Sequence, residues 1–298
     1  MSSQNPKICS YEGSDYQSSF WEQGGRAYED QVEAIALRRL LPPAGKLLLE
    51  LGAGAGRNTP RYHGFERIVL LDYSLTQLEQ AQARLGCDER YVYVAADVCR
   101  LPFVEGLFDA ATMIRVLHHL IDPLGALQQI RQVLQPGAIF ILEFANKHNL
   151  KAILRYWIKR QSWSPFTLEP VEFAALNFDF HQKTVKAWLS QADFVVERLL
   201  TVSHFRVGLL KRWLPLKMLV ALDSLLQWTG NAWQLSPSVF VRCKSGARTA
   251  IAQPGSFFRC LDCGSDRLNG TSEYLECQAC GKHWLIRGGI YDFRADLS

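Results

Sequence analysis

The 298-residue chain has no uninterrupted apolar run long enough to cross a bilayer. Its greasiest stretch, GLLKRWLPLKMLVALDSLL (208–226), is broken by Lys211, Arg212, Pro215, Lys217 and Asp223, whereas a spanning helix needs about 20 predominantly apolar residues. The first residues, MSSQNPKICSYEGSDYQ, lack the apolar centre of a secretion signal. No glycine-rich run precedes Lys-Ser or Lys-Thr, which excludes a P-loop. No dinucleotide fingerprint is complete either: after Gly52 and Gly54 the third glycine is replaced by Arg57. Strong charge is missing, since the net value is only +4, too weak by itself to imply nucleic acid. The eight cysteines are too sparse for a secreted disulfide framework. Together these absences lead to the expectation of a cytoplasmic globular protein, long enough for one large α/β domain and something small.

What is present is an alternation of strand and helix. A helix is expected from about Trp21 to Leu41, then strands at 46–51, 67–74, 91–97, 108–116 and 138–145. Helices fall between them at about 57–62, 75–85 and 123–134. Such alternation predicts a Rossmann-like, doubly wound, mostly parallel seven-stranded sheet with helices on both faces. Residues 146–235 are less regular and read as a cap with insertions over the acceptor site. They include a basic amphipathic helix at 149–160, with Leu150, Ile153, Leu154, Trp157 and Ile158 on one face and Lys151, Arg155 and Lys159 on another. Residues 208–228 read as two helical pieces split at Pro215. From Asn146 to Lys217 there are 12 Lys and Arg against 5 Asp and Glu, so the middle of the chain is its basic part. A strand at 236–243 closes the sheet, and 244–256 has linker composition.

The turn after the first strand reads Glu50-Leu51-Gly52-Ala53-Gly54-Ala55-Gly56. Glycines there permit a tight turn and let backbone amides approach a ligand. Asp72 and Asp97 fall at the tips of the next two strands, and ligands of open α/β sheets bind at that edge. Near the C-terminus, Cys260-x-x-Cys263 and Cys277-x-x-Cys280 are separated by 13 residues. Two such knuckles supply four thiolates for one tetrahedral, structural Zn²⁺, and a unit of some 40 residues needs such a staple.

The segments LLELGAGAGRNTP, IVLLDYS, AADVCRLPF, FDAATMIRVLHHL and RQVLQPGAIFILE resemble the successive motifs of class I S-adenosylmethionine (SAM) dependent methyltransferases, most closely the ubiquinone-biosynthesis-like group. The likeness covers about residues 20–145. It implies that Glu50 faces the ammonium end of SAM, that Gly52, Ala53, Gly54 and Gly56 line its methionine and ribose, and that Asp72 binds the ribose. By the same resemblance Tyr73 flanks the adenine, and Asp97 with the Val98 amide reads its edge. Arg115 takes the position beside the reacting end, where a small residue is commoner. The segment YLECQACGKHWLIRGGIYDF resembles the small zinc-ribbon activator subunit of tRNA, rRNA and release-factor methyltransferases.

The expected division is therefore a methyltransferase domain at 1–243, a linker at 244–256 and a zinc ribbon at 257–298. The ribbon carries more apolar surface than it can bury internally, so it is expected to dock on the catalytic domain. His119, of the pair His118-His119, and Glu143 are the candidate catalytic residues, with His148 and His181 as alternatives in the cap. The expected reaction is methyl transfer to a small apolar or aromatic acceptor. An RNA or translation component is the alternative, and a non-catalytic SAM-binding scaffold a second. The basic helix leaves room for peripheral membrane contact.

Overall fold

The computed structural model describes residues 12–13, 25–247 and 250–294. The expected helix start at Trp21, and Cys9, lie outside these. Helix α1 (Ala27–Leu40) leads into strand β1 (Gly45–Leu51). Then follow β2 (Phe65–Asp72), α2 (Leu75–Leu85), β3 (Tyr91–Ala95), β4 (Phe108–Met113), α3 (Pro123–Val133) and β5 (Leu134–Ala145). The cap contains α4 (Leu150–Trp157), the hairpin β6 (Val171–Ala174) and β7 (Asn177–Asp179), and α5 (Gln182–Gln191). Next come β8 (Phe194–Val202), α6 (Gly208–Trp213), α7 (Leu216–Leu226) and β9 (Ser238–Ser245). The C-terminal segment forms β10 (Leu268–Gly270), β11 (Tyr274–Cys277), β12 (His283–Arg287) and β13 (Ile290–Asp292).

Up to Ser245 the strands of the main sheet lie in the order β3-β2-β1-β4-β5-β9-β8. All run parallel except β9, which is antiparallel to both β5 and β8. The period-2 alternation of the strands splits their side chains between two cores. Leu48, Ile68, Leu70 and Tyr93 pack on one face with α1, α2 and α7, through Val32, Leu37, Leu78 and Leu219. Leu49, Leu51, Val69 and Val94 pack on the other with α3 and α5, through Leu127, Ile130, Val185 and Leu189.

The sheet does not stop at β3. Strand β13 pairs parallel with β3, Ile290 opposite Tyr93 and Asp292 opposite Ala95. Strands β12, β11 and β10 follow outward as an antiparallel meander, giving eleven strands in all. Phe258 forms a bridge with Phe103 and stacks on it at 5.8 Å between ring centres. Trp284, Phe293 and Cys277 bury into the same core as α3 and α5. The chain reaches this seam by passing over Gly106, whose φ is +62° and where a Cβ would stand 1.7 Å from the Ala250 carbonyl oxygen.

Some elements depart locally from those expected. The helix expected near 57–62 is only a 3-10 turn, Thr59–Tyr62. Strand β5 begins at Leu134 and carries Pro136 and Gly137 inside it, at a register shift against β4. Strand β9 runs to Ser245, two residues into the expected linker. Among the described residues no helix is long and apolar enough to cross a membrane.

Candidate functional site

The turn after β1 is built by Gly52, Gly54 and Gly56, with φ values of +66°, +53° and +72°. In this left-handed region a side chain costs energy, and at Gly52 a Cβ would also meet Val116 Cγ2 at 2.1 Å. At Gly54 the space is open, with nothing nearer than 3.7 Å. The backbone there can be approached closely by a ligand. Asp72 ties the turn to the tip of β2: its carboxylate accepts from the Gly54 amide at 2.8 Å and from the Ser74 amide at 2.9 Å. Burial pushes this carboxyl above its ordinary range against those two bonds. Ala53 is buried beneath, its amide donating to the Leu71 carbonyl. Tyr73 follows, and Asp97 stands at the end of β3, accepting from the Cys99 amide at 2.8 Å, with Val98 buried beside it.

Glu50 is placed differently from the expectation. It is buried, accepts a 2.6 Å bond from Thr59 Oγ1, and is pushed up to about 7 by its burial. It anchors the 3-10 turn rather than standing open at the strand tip. Arg57, where a dinucleotide site would have glycine, is bound to Asp30 at 2.5 Å and Glu33 at 2.8 Å.

A second polar group gathers at the ends of β4, β5 and β7. The Arg115 amide donates to Glu143 Oε2 at 3.0 Å, and Ser238 Oγ donates to Glu143 Oε1 at 2.6 Å. Arg115 has φ +63°, a strained conformation for a side chain of that size, and its guanidinium lies 3.4 Å from Glu33. Burial raises the Glu143 carboxyl, although Arg115 pulls the other way. The His118 and His119 rings lie 4.0 Å apart between centres, tilted by 45°. His119 Nδ1 lies 3.0 Å from the Leu176 carbonyl oxygen, whereas buried His118 Nδ1 has no hydrogen-bond partner among the described residues. Burial first, then His119, Arg115 and Arg206, hold His118 well below the usual histidine range, so it is neutral. Asp179 completes the group: burial pushes it up to about 6, with Arg206 opposing and Glu143 reinforcing.

The structure thus gathers Arg115, Glu143 and His118 at the strand ends, whereas the expected catalytic ring, His119, engages the Leu176 carbonyl. Sequence reasoning missed Asp179 and Arg206, which arrive from the cap and carry no spacing signal. His148 and His181 instead pack on each other, at 5.3 Å, and the His181 ring caps α5 by accepting from the Lys183 amide.

Near the C-terminus the ligand atoms of Cys260, Cys263, Cys277 and Cys280 all lie within 4.8 Å of one another. Cys260 and Cys280 sulfurs are 3.7 Å apart, Cys263 and Cys277 sulfurs 3.4 Å. Zinc–sulfur bonds of about 2.3 Å in a tetrahedron put sulfurs about 3.8 Å apart, so the donor set fits one zinc ion.

A doubly wound sheet with a glycine turn and acids at successive strand tips defines a Rossmann-like fold that binds a ribose-containing cofactor. Comparison narrows the class. Residues 49–142 match the family described as "Methyltransferase domain". A demethylmenaquinone methyltransferase of Clavibacter sepedonicus is 30% identical over 165 residues, which cover 54% of this chain and 67% of that protein. The chain spans less than half the length of several other curated relatives it matches. Among solved structures, the complex between the Haloferax volcanii Trm112 methyltransferase activator and a methyltransferase superposes with a TM-score of 0.55 at 13% identity, over 78% of this chain and 96% of that one. The Burkholderia thailandensis 1,6-didemethyltoxoflavin-N1-methyltransferase, solved with 1,6-didemethyltoxoflavin and S-adenosylhomocysteine, gives 0.51 at 17% identity, over 76% and 84%. These two likenesses show the fold. The chain belongs to the class I SAM-dependent methyltransferases.

Proposed function

We propose that this enzyme methylates a small apolar or aromatic acceptor at the group formed by Arg115, His118, Glu143 and Asp179. The observation that carries this reading is the enclosed Nδ1 of His118, without a hydrogen-bond partner among the described residues, on the same sheet edge as the glycine turn and Glu143. SAM supplies a sulfonium methyl whose departure leaves a neutral sulfide, so alignment and exclusion of water matter more than strong acid–base help. His118, being neutral, accepts the acceptor's proton; Glu143 orients Arg115. Gly52, Gly54, Asp72, Tyr73, Asp97 and Val98 hold the cofactor, with Asp72 on the ribose. The curated relative named for demethylmenaquinone supports a small, ring-bearing acceptor. An RNA or translation component is the runner-up.

We further propose that residues 1–243 form the methyltransferase unit and 257–298 a ribbon in which Cys260, Cys263, Cys277 and Cys280 hold one structural zinc. The ribbon acts in cis as a cover for the β3 edge. The test is methyl transfer from labelled SAM to a panel of quinols and phenols, run in parallel with total RNA. Label in RNA alone overturns the small-molecule reading.

A further inference from the structure

We propose that α4 and α6 form a face that docks on an anionic lipid bilayer. The spacing of α4 puts Leu150, Leu154, Trp157 and Ile158 on one side, the side a soluble helix normally covers. Here α4 buries only Ala152 and Ile153. Leu154 remains 48% exposed, Trp157 65% and Ile158 59%. Helix α6 has no fully buried side chain; Leu210 packs partly on the core, while Leu209 is 67% and Trp213 74% exposed.

These surfaces start side by side. Strand β5 ends at Ala145 and β8 ends at Val202, and both residues are in register with Ser238 on β9 between them. Two strand spacings separate them, roughly 10 Å. α4 and α6 therefore leave the same sheet edge, the one that carries the glycine turn and Glu143. The turn through Trp233 lies against the start of α4: the Leu235 carbonyl accepts from the Leu150 amide at 2.8 Å, and Trp233 is also exposed.

Charge decides what covers this face. Residues 148–168 and 206–222 contain no Asp or Glu. Lys151, Arg155, Lys159 and Arg160 on α4 and its C-terminal turn are exposed, as are Arg212 on α6 and Lys217 beyond it. A second copy of this chain, meeting it by two-fold symmetry, would set cations against cations. A nucleic acid would use the cations but leave the large apolar side chains in water. A lipid surface satisfies both: leucine, isoleucine and tryptophan enter the headgroup boundary, while lysine and arginine reach the phosphates. Because no described helix can span the bilayer, the attachment is peripheral. The face does not depend on which acceptor is methylated.

The test is co-sedimentation of the full chain with vesicles of phosphatidylcholine, alone or mixed with phosphatidylglycerol. Binding to the mixed vesicles is expected to be at least about tenfold tighter and to weaken with salt. The double variant Trp157→Glu, Ile158→Glu should lose at least about tenfold in binding to the mixed vesicles. Converting Lys151, Arg155, Lys159 and Arg160 to Gln should abolish the preference for phosphatidylglycerol. Melting temperature and SAM affinity should be unchanged in both, since the altered side chains are exposed. Failure to bind either vesicle, or variants that bind like the parent, overturns the proposal. So does a dimer in sedimentation velocity that the Glu variant abolishes, which would make a second copy the occupant.

Discussion

Arg294, from the last described residues, reaches Tyr73 in the loop after β2. Its Nη1 lies 3.4 Å from the Tyr73 carbonyl oxygen, and its guanidinium carbon 5.9 Å from the ring centre. Asp292 holds that guanidinium in a fork, with both bonds at 2.9 Å. The C-terminal segment therefore touches the residue expected to flank the adenine. Arg294→Ala should weaken SAM binding by about 1 kcal/mol, or roughly fivefold. Calorimetric titration measures this; zinc content should not change. Unaltered affinity would detach the C-terminal segment from the cofactor site.

Asp72 fixes the glycine turn and is expected to bind ribose. Asp72→Ala should reduce SAM affinity by about 1–3 kcal/mol. The same titration checks it, with circular dichroism to establish folding. A folded variant of normal affinity removes Asp72 from the site.

Truncation after Ser245 should strip the edge of β3 and uncover Phe103. Unpaired strand edges associate, so the shortened protein should melt earlier and aggregate. Elemental analysis of the full chain should find one zinc, and Cys277→Ser should lose it. A truncated form equally stable and monodisperse would show that the seam contributes nothing.

Glu50 gives a pH signature. Its folded carboxyl titrates near 7, above the ordinary 4.5, because it is buried. A raised carboxyl binds a proton more tightly in the folded state, so it favours folding at low pH. That contribution is lost as pH rises from about 4.5 through 7, and ionised Glu50 then costs about 3 kcal/mol. Glu50→Gln should therefore gain stability relative to the parent at pH 8 and not at pH 4. Denaturant midpoints at both values test this; a difference independent of pH refutes it.

His118 and His119 should separate by kinetics. His118→Ala should lower the rate of methyl transfer by about 10²–10⁴ if the ring takes the acceptor's proton. His119→Gln should lose less, since its ring already engages the Leu176 carbonyl. Because His118 is held neutral, the rate should show no histidine limb between pH 6 and 8. Equal losses in both variants would make the pair a structural brace.

Much of the fold was legible in local pattern. The expected boundaries of α2, Leu75–Leu85, are those observed, because Ser74 caps it by accepting from the Gln77 amide and Gly86 follows its last residue. Pro215 splits the following apolar stretch into α6 and α7 as expected, since proline supplies no amide. The helix expected at 57–62 proved to be a single 3-10 turn. In the site, the glycine turn and Asp72 were legible because strand-tip position follows from strand length. Asp179 was not, because its partners lie 36 residues back at Glu143 and 27 residues ahead at Arg206.

By itself the sequence determined the strand–helix alternation, the three glycines, the acids at strand tips and the paired cysteines. Each of these is a matter of period or spacing within a few tens of residues. Only the tertiary structure decided that β13 extends the sheet beside β3, a pairing across some 200 residues. It alone left His118 Nδ1 enclosed with no hydrogen-bond partner among the described residues, and closed Glu50 away from the strand tip. The apolar stripe of α4 shows why. A helical period states that one face is apolar, but not whether protein, lipid or water lies against it. That is set by what the rest of the chain leaves uncovered once its strands have paired.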